Sequence, residues 1–425
     1  MHDVRELIEQ GPDAVARLAR RGHTLSLADV TAAHRRRTAL REGADRLRAE
    51  LKRLSRSGPA GGGGRSAREA GRLLREQVQL ADAQVRVVEQ ELTGVLQAVP
   101  NLPLDAVPDG HTEKDAVEIR RGGPDPVAAD PARHHAAVGE ALGILDGARS
   151  AKLSGARFSV ARGAGARLQR ALSAFFLDLH TQQHGYTEYA VPYLVTRETM
   201  TGTGQLPKFE EDLFSTRVGD RELFLIPTAE VPLINLVARE VLEAGQLPLA
   251  LTACTPCFRA EAGSYGRDTR GILRLHQFEK VELVRVCAPE DAGRELLSMV
   301  TQAEECLRLL GLSYRVMLLP AGDLGFSARM TYDLEVWLPG SDAFREISSV
   351  SDCGTFQSRR AGIRVKGPKG SRFHPVTLNG SALPVGRTVA ALLEQGRQPD
   401  GSVTLPEVLI PYAGFARIEP GERIS

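Results

Sequence analysis

Two stretches of heptad-like alternation constrain this chain before anything else does. Between Val30 and Leu54, apolar or small residues recur at Val30, Ala33, Leu40, Ala44, Leu47, Leu51 and Leu54, with Arg37 standing once in the seam. After the break SGPAGGGGRS the alternation returns through Leu74, Val78, Ala81, Val85, Val88, Leu92, Val95 and Val99, and Pro100 ends it. Steps of three and four residues keep one stripe of an α-helix apolar, and such a stripe is hidden most simply against another helix. Two helices of similar length joined by a glycine-rich turn predict an antiparallel coiled-coil hairpin over about residues 28–99, on the order of 40 Å long at 1.5 Å per residue. Gly61 to Gly64 are not a phosphate loop, since no Gly-Lys-Ser/Thr follows and no strand precedes them.

The first helix carries Arg35, Arg36, Arg37, Arg41, Arg46, Arg48, Lys52, Arg53 and Arg56 against Glu42, Asp45 and Glu50. The whole chain has a net charge of only +1, so a nucleic-acid site must come from such a local excess. A long basic rod suits phosphate backbones, because each neutralised phosphate releases counterions. A solvated coiled-coil face or a dimerisation arm would explain the same residues.

With 425 residues, 42% of them hydrophobic, the chain has ample length for a second, larger body. Pro100 to about Pro131 is rich in proline and glycine and is expected to carry little regular structure. Leu168, Leu172, Phe175 and Leu179 then mark an amphipathic helix, followed by the runs YAVPYLV, ELFLIP, LALTAC, KVELVRV, YRVMLL and TYDLEVWL. Strands seldom separated by crossover helices predict an antiparallel sheet with helices packed on it, an α+β body and not a doubly wound one.

The charged start MHDVRELIEQ lacks the roughly 7 to 15 apolar residues of a signal peptide, and no apolar stretch approaches roughly 18 residues. A cytoplasmic protein without a membrane partner is therefore expected. Five cysteines do not make a disulfide framework, and the CTPC pair Cys254 and Cys257 has no second pair to complete a zinc site, so no zinc is expected. His180 and His184 in HTQQH have metal-like spacing, but Thr181 stands where the glutamate of a zinc-protease helix would be. Both histidines are expected on a helix surface.

Residues 257–284, CFRAEAGSYGRDTRGILRLHQFEKVELV, are expected to form a strand, a long loop and a strand. With a period of two, Arg259 and Glu261 share one face, as do Phe278, Lys280 and Glu282. An arginine, an aromatic ring and carboxylates converging there suit a nucleotide together with an amine-bearing substrate. FRAEAG, GRDTRG and HQFEKVE resemble motif 2 of the class II aminoacyl-tRNA synthetases in its seryl form. GYTEYAVPYLV with Pro192 resembles motif 1, TGTGQLPKFEEDLF and IPTAEVPL resemble the serine-enzyme segment ahead of motif 2, and LNGSALPVGRTVAALLE resembles motif 3. EISSVSD shares its first four residues with the family's EISSCSN, and the arm is similar to the family's tRNA-binding coiled coil.

The resemblance implies an N-terminal tRNA-binding domain over residues 1–107, a linker over 108–160 and a class II catalytic domain over 161–425, its antiparallel sheet flanked by helices. It implies an enzyme that activates L-serine with ATP and transfers it to tRNA(Ser), and also to tRNA(Sec), as a homodimer joined through motif 1. Serine is expected at Thr228, Ala229, Glu230, Arg259, Glu282 and Ser381, with acidic groups on its ammonium and hydroxyl and Arg259 on its carboxylate. A pocket that hydrogen-bonds the substrate hydroxyl should reject alanine. ATP is expected at Arg259, Glu261, Phe278, Glu346, Ile347, Ser348, Ser349 and Arg387. There Glu261 would bind the adenine amino group, Phe278 and Arg387 would sandwich the ring, and the catalytic arginines Arg259 and Arg387 would meet the phosphates. Glu346 and Ser349 would hold Mg2+ or Mn2+. Arg35, Arg36, Arg41, Arg48, Lys52 and Arg53 are the candidate tRNA contacts.

Against the common family pattern, Val350 replaces a cysteine, Asp352 an asparagine, and Gly354 and Thr355 a threonine and an aspartate. Ala382 and Pro384 alter GLAVGR, Gln395 replaces an asparagine and Ile410 an arginine. Their clustering keeps open a divergent duplicate with the same reaction, serving a biosynthetic pathway or resisting a seryl-adenylate mimic. An inactive tRNA-binding regulator is the alternative of another class, and the retained charged residues speak against it.

Overall fold

The structure, a computed structural model, describes residues 1–56, 64–262 and 270–421. It divides after Pro100 into two units, Met1–Pro100 and Asn101–Ser425. In the first, α1 (Leu27–Arg56) packs against α2 (Gly64–Ala98). The ion pairs Arg36–Glu91, Arg41–Glu89 and Arg48–Asp82 join positions that rise along one helix as they fall along the other, so the pair is antiparallel. The expected glycine turn falls on 57–63, outside the described residues.

Val30 and Ala44 of α1 and Leu74, Val85, Val88 and Leu92 of α2 are buried in the seam. Val95, expected there, is 46% exposed, and Leu96 is buried in its place. A second consecutive step of four keeps the stripe of a helix with 3.6 residues per turn from drifting off the partner. Arg37 does occupy the seam, where its Nη2 lies 3.0 Å from His34 Nδ1, and desolvation, then the neighbouring Arg41, lowers its pKa.

The second unit is built on eight strands: β1 (Val117–Gly122), β2 (Thr187–Glu188), β3 (Leu249–Phe258), β4 (Gln277–Cys287), β5 (Tyr314–Leu318), β6 (Met330–Leu338), β7 (Ala343–Asp352) and β8 (Val376–Pro384). They lie in the order β1-β5-β6-β7-β8-β4-β3-β2, antiparallel throughout except for β2 at its edge. β1 comes from the stretch expected to lack regular structure. Its side chains are exposed, Val117 at 46% and Ile119 at 42%, so it is held by edge backbone pairing and carries no buried stripe to announce it.

Helices α3 (His135–Ala141), α4 (Ala164–Gln182), α5 (Ala292–Leu309) and α6 (Val385–Gln395) accompany the sheet. Leu168, Leu172 and Leu179 of α4 and Leu296, Met299 and Ala303 of α5 share one core with Val281 and Leu283 of β4. Phe278, Lys280 and Glu282 alternate with those strand residues and line a cavity on the other face.

His180 corrects the surface assignment. It is fully buried, with Nδ1 2.9 Å from His184 Nδ1 and Nε2 3.4 Å from Cys306 Sγ. Burial, then His184, pushes its pKa down to about 3. It stands four residues beyond buried Phe176, on the continuation of the apolar stripe of α4. Among the described residues no helix is long and apolar enough to cross a membrane.

Candidate active site

The cavity has a volume of about 620 Å3. Of the residues expected at serine or ATP, Thr228, Glu230, Arg259, Glu261, Phe278, Glu282, Glu346, Ser349, Ser381 and Arg387 all line it. Ala229, Ile347 and Ser348 do not. Ala229 and Ile347 are core residues, while Ser348 braces the site from behind, donating to the Ser381 carbonyl (2.7 Å) and accepting from the Ser381 hydroxyl (3.2 Å).

Glu346 and Ser349 stand three apart on β7 and would face opposite sides of a regular strand. A register shift leaves Ile347 without a partner, so that Ser349 pairs with Asp333 and Glu346 with Glu335. This bulge is what brings both side chains to the cavity.

Part of the cavity wall is acidic. The Thr228 hydroxyl donates to Glu282 Oε2 at 2.6 Å and accepts from the Glu230 backbone N–H at 3.2 Å. The Lys280 ammonium pairs with the same Glu282 oxygen. Glu230 Oε1 accepts from Gln357 Nε2 (2.6 Å) and Asn379 Nδ2 (2.9 Å), and Gln357 is itself fixed by the Thr377 hydroxyl (2.7 Å). Burial, then the Glu282 carboxylate, pushes Glu230 up to about 7, so it is poised to ionise when a cation arrives. Lys280, Gln357 and Asn379 were given no role from the sequence. Lys280 was signalled by its shared strand face with Glu282. Nothing local signals a glutamine 127 residues from its partner.

The same cavity presents guanidiniums. Arg259 lies with its guanidinium carbon 5.2 Å from the Phe278 ring centroid and donates through Nε to the Pro227 carbonyl (3.3 Å). Arg387 donates to the Leu273 carbonyl (3.2 Å) and the Glu346 carbonyl (2.6 Å) and lies 3.4 Å from Glu346 Oε2. Glu261 takes Arg274 on its carboxylate at 2.9 Å. The loop motif GRDTRG is described only from Arg270 onward, its first four residues lying outside the described residues.

The donor set around Ser349 fits a hard divalent cation. Asp333 Oδ1 is buried without a hydrogen-bond partner, and burial, then the Glu346 carboxylate, pushes its pKa well above the ordinary range. Glu346 opens half its side chain to the cleft, and Arg387 and Arg259 hold it below the usual range despite the burial of its surroundings. A cation bound among these oxygens would relieve the repulsion and satisfy the orphaned atom.

In the arm, all six candidate basic residues are exposed, and Arg36, Arg41 and Arg48 are each engaged by an acidic residue of α2.

Residues 209–396 match the tRNA synthetase class II core domain (G, H, P, S and T). The chain is 68% identical to serine–tRNA ligase 2 of Streptomyces avermitilis over 423 residues, 99% of each protein. It is 49% identical to the serine–tRNA ligase of Nitratidesulfovibrio vulgaris over 417 residues, 96% of this chain and 97% of that one. Its fold superposes on seryl-tRNA synthetase from Pyrococcus horikoshii complexed with ATP with a TM-score of 0.87 at 32% identity, covering 99% of this chain and 100% of that one. With every charged residue of the expected site gathered in one cavity and relatives alike from end to end, the chain belongs to the serine–tRNA ligase family of class II aminoacyl-tRNA synthetases.

Proposed function

We propose that this cavity joins L-serine and ATP as seryl adenylate and passes the seryl group to tRNA(Ser). One observation carries the reading: a single cavity is lined by a buried carboxylate pair with a hydroxyl and an amide, and by the guanidiniums of Arg259 and Arg387, the first of them over an aromatic ring. Serine's ammonium and hydroxyl are taken by Glu230, Glu282, Thr228 and Ser381, and its carboxylate meets Arg259. Adenine stacks on Phe278, its amino group at Glu261 alongside Arg274. The serine carboxylate attacks the α-phosphorus, the bond to pyrophosphate breaks, and Arg259 and Arg387 offset the charge that leaves. A terminal ribose hydroxyl of tRNA then attacks the seryl carbonyl carbon and AMP departs. Glu346 and Ser349, with Asp333 beside them, would hold Mg2+ or Mn2+, which would supply neutralisation of phosphate charge.

The first unit, through its basic face, serves as the tRNA-binding domain. Tyr189, Tyr193 and Leu194, exposed at 38%, 46% and 42% in the segment similar to motif 1, support a homodimer across that edge. Serine-dependent ATP–pyrophosphate exchange tests the reading, with threonine and alanine as controls. Exchange is expected with serine and very little with alanine, and a chain silent with serine would remove the assignment and restore the inactive regulator.

A second reading concerns setting and leaves the chemistry intact. Asp352 and Gly354, both departures from the family pattern, form one unit with Arg329: the Asp352 carboxylate takes Arg329 at 2.9 Å and the Gly354 N–H at 2.7 Å. A Cβ at Gly354, whose φ is +54°, would lie 3.1 Å from Arg329 Cδ and 3.2 Å from its Nε. The unit adjoins Gly325 to Ala328 of the cavity wall, and so favours a specialised duplicate with an altered pocket. Weaker inhibition by a nonhydrolysable seryl-adenylate analogue than for an enzyme of the common pattern is expected. Equal inhibition would sink the resistance form of this reading.

A further inference from the structure

Behind Ile272 of the cavity wall sits a buried histidine that the chemistry does not use. His135, the first residue of α3, and Glu394, in the last turn of α6, are both fully buried. His135 Nδ1 lies 2.7 Å from Glu394 Oε1, and its Nε2 lies 3.2 Å from the backbone nitrogen of Ile272. A backbone N–H can only donate, so Nε2 accepts and the ring hydrogen sits on Nδ1, where it is given to Glu394. Glu394 also takes the His135 N–H (3.0 Å) and the Gly340 N–H (2.7 Å), so the buried carboxylate is met by three donors.

His134, His135 and Glu394 are spaced as metal ligands could be. Both ring nitrogens of His135 are committed to protein partners, however, and a cation would have to break one of those bonds. The arrangement works as a clamp between elements.

What it clamps is next to the nucleotide residues. Ile272 is followed by Leu273, whose carbonyl holds Arg387, and by Arg274, whose guanidinium holds Glu261. Glu394 stands on the same helix as Arg387, about two turns further on. Adjacent residues of one segment are thus tied to one helix twice, directly through Arg387 and through the His135–Glu394 pair. Gly271 makes the approach possible: its φ is +89°, and a Cβ there would lie 2.0 Å from His135 Nε2.

We propose that His135, oriented by Glu394, is a positioning residue for ATP, fixing the segment from Gly271 to Arg274 so that Arg387 and Glu261 meet the nucleotide preset. The proposal rests on the reading of this part of the cavity as the ATP site.

The test is ATP–pyrophosphate exchange by the full chain, with KM for ATP and for serine measured separately and the thermal midpoint recorded. H135N keeps an amide for Glu394 but loses the acceptor for Ile272. Its ATP KM is expected to rise about 10-fold while the serine KM stays within about twofold. H135Q, whose longer amide can reach Ile272, should recover to within about threefold of the parent. An unchanged ATP KM in H135N, a loss shared equally by serine and ATP, or an H135Q as impaired as H135N overturns the clamp. Should H135N fail to fold, G271A displaces the ring from the opposite side and carries the same expectation, and a normal ATP KM in G271A overturns the clamp as well. A parent chain without serine-dependent exchange would remove the nucleotide reading and the clamp together, whereas normal exchange by parent and H135N alike removes the clamp alone.

Discussion

The arm and the catalytic cavity both pair basic residues with carboxylates, in opposite surroundings. The side chains of Arg36 and Glu91 in the arm are 65% and 57% exposed, those of Lys280 and Glu282 in the cavity 10% and 2%. In the arm, water screens the pair and either partner can be lost cheaply. In the cavity a charge stripped of its partner stays desolvated, so removing one member does far more than remove one attraction. Which charged residue matters is therefore set by burial, and a count of arginines along a helix overstates what each one does.

The largest effect that contrast predicts is at Glu282. Glu282→Ala strands the Lys280 ammonium and takes away the acceptor of the Thr228 hydroxyl. Serine-dependent exchange is expected to fall by about 10³-fold, and near-normal exchange would show that the buried pair is not the serine pocket. If the arm supplies phosphate contacts and no chemistry, as proposed, replacing residues 28–99 by a short linker should leave exchange within about twofold and lower charging of tRNA by about 100-fold. Intact charging would give the basic rod another task.

The same contrast explains what could be read from the sequence. Phe278 and Glu282 were legible because period-two alternation along one strand needs no tertiary knowledge, and the helical pairing of the arm followed from its stripes; Arg259 and Glu261 instead lie just beyond β3, with Glu261 at φ +54°, so a shared strand face is not what brings them to the cavity. Glu346 and Ser349 were named through resemblance alone, since their spacing on a regular strand places them on opposite faces and only the bulge at Ile347 reconciles them. His180 was misread as a surface residue because it was weighed with His184 and not with Phe176, one turn earlier on the buried face. β1 carries no buried stripe, and the amides of Gln357 and Asn379 meet Glu230 across long loops of chain, so neither leaves a local trace.

Glu230 offers a middle-sized effect with a definite sign. Its ordinary value is 4.5, and burial, then Glu282, raises it to about 7 in the folded chain. A carboxyl whose folded pKa is raised contributes stability that is present in full below about 4.5 and lost as pH rises through about 7. Glu230→Gln removes that dependence. The thermal midpoint of the parent, measured relative to this variant, should fall between pH 4.5 and 7 and level off above it. A difference constant from about pH 4 to 8 would mean that Glu230 is ionised throughout and that its surroundings are wetter than the geometry makes them.

The smallest expected effect lies in the arm, at Arg48. Its guanidinium meets Asp45 and Asp82 while its side chain remains 51% exposed. Pairs of this kind are worth about 0.2–1 kcal/mol, so Arg48→Ala should move the thermal midpoint by no more than about 2 °C. Because its charge is already engaged within the hairpin, tRNA charging should change by less than about threefold. Lys52→Ala, on the exposed face, should weaken tRNA binding slightly more and lower the salt dependence by about one counterion. If Arg48→Ala instead cost charging about 100-fold while leaving exchange untouched, Arg48 would be turning from Asp82 to a phosphate when tRNA binds. The paired arginines of the arm would then be held in reserve by α2, and the line between arm and cavity would lie at the bound partner and not at burial in the free protein.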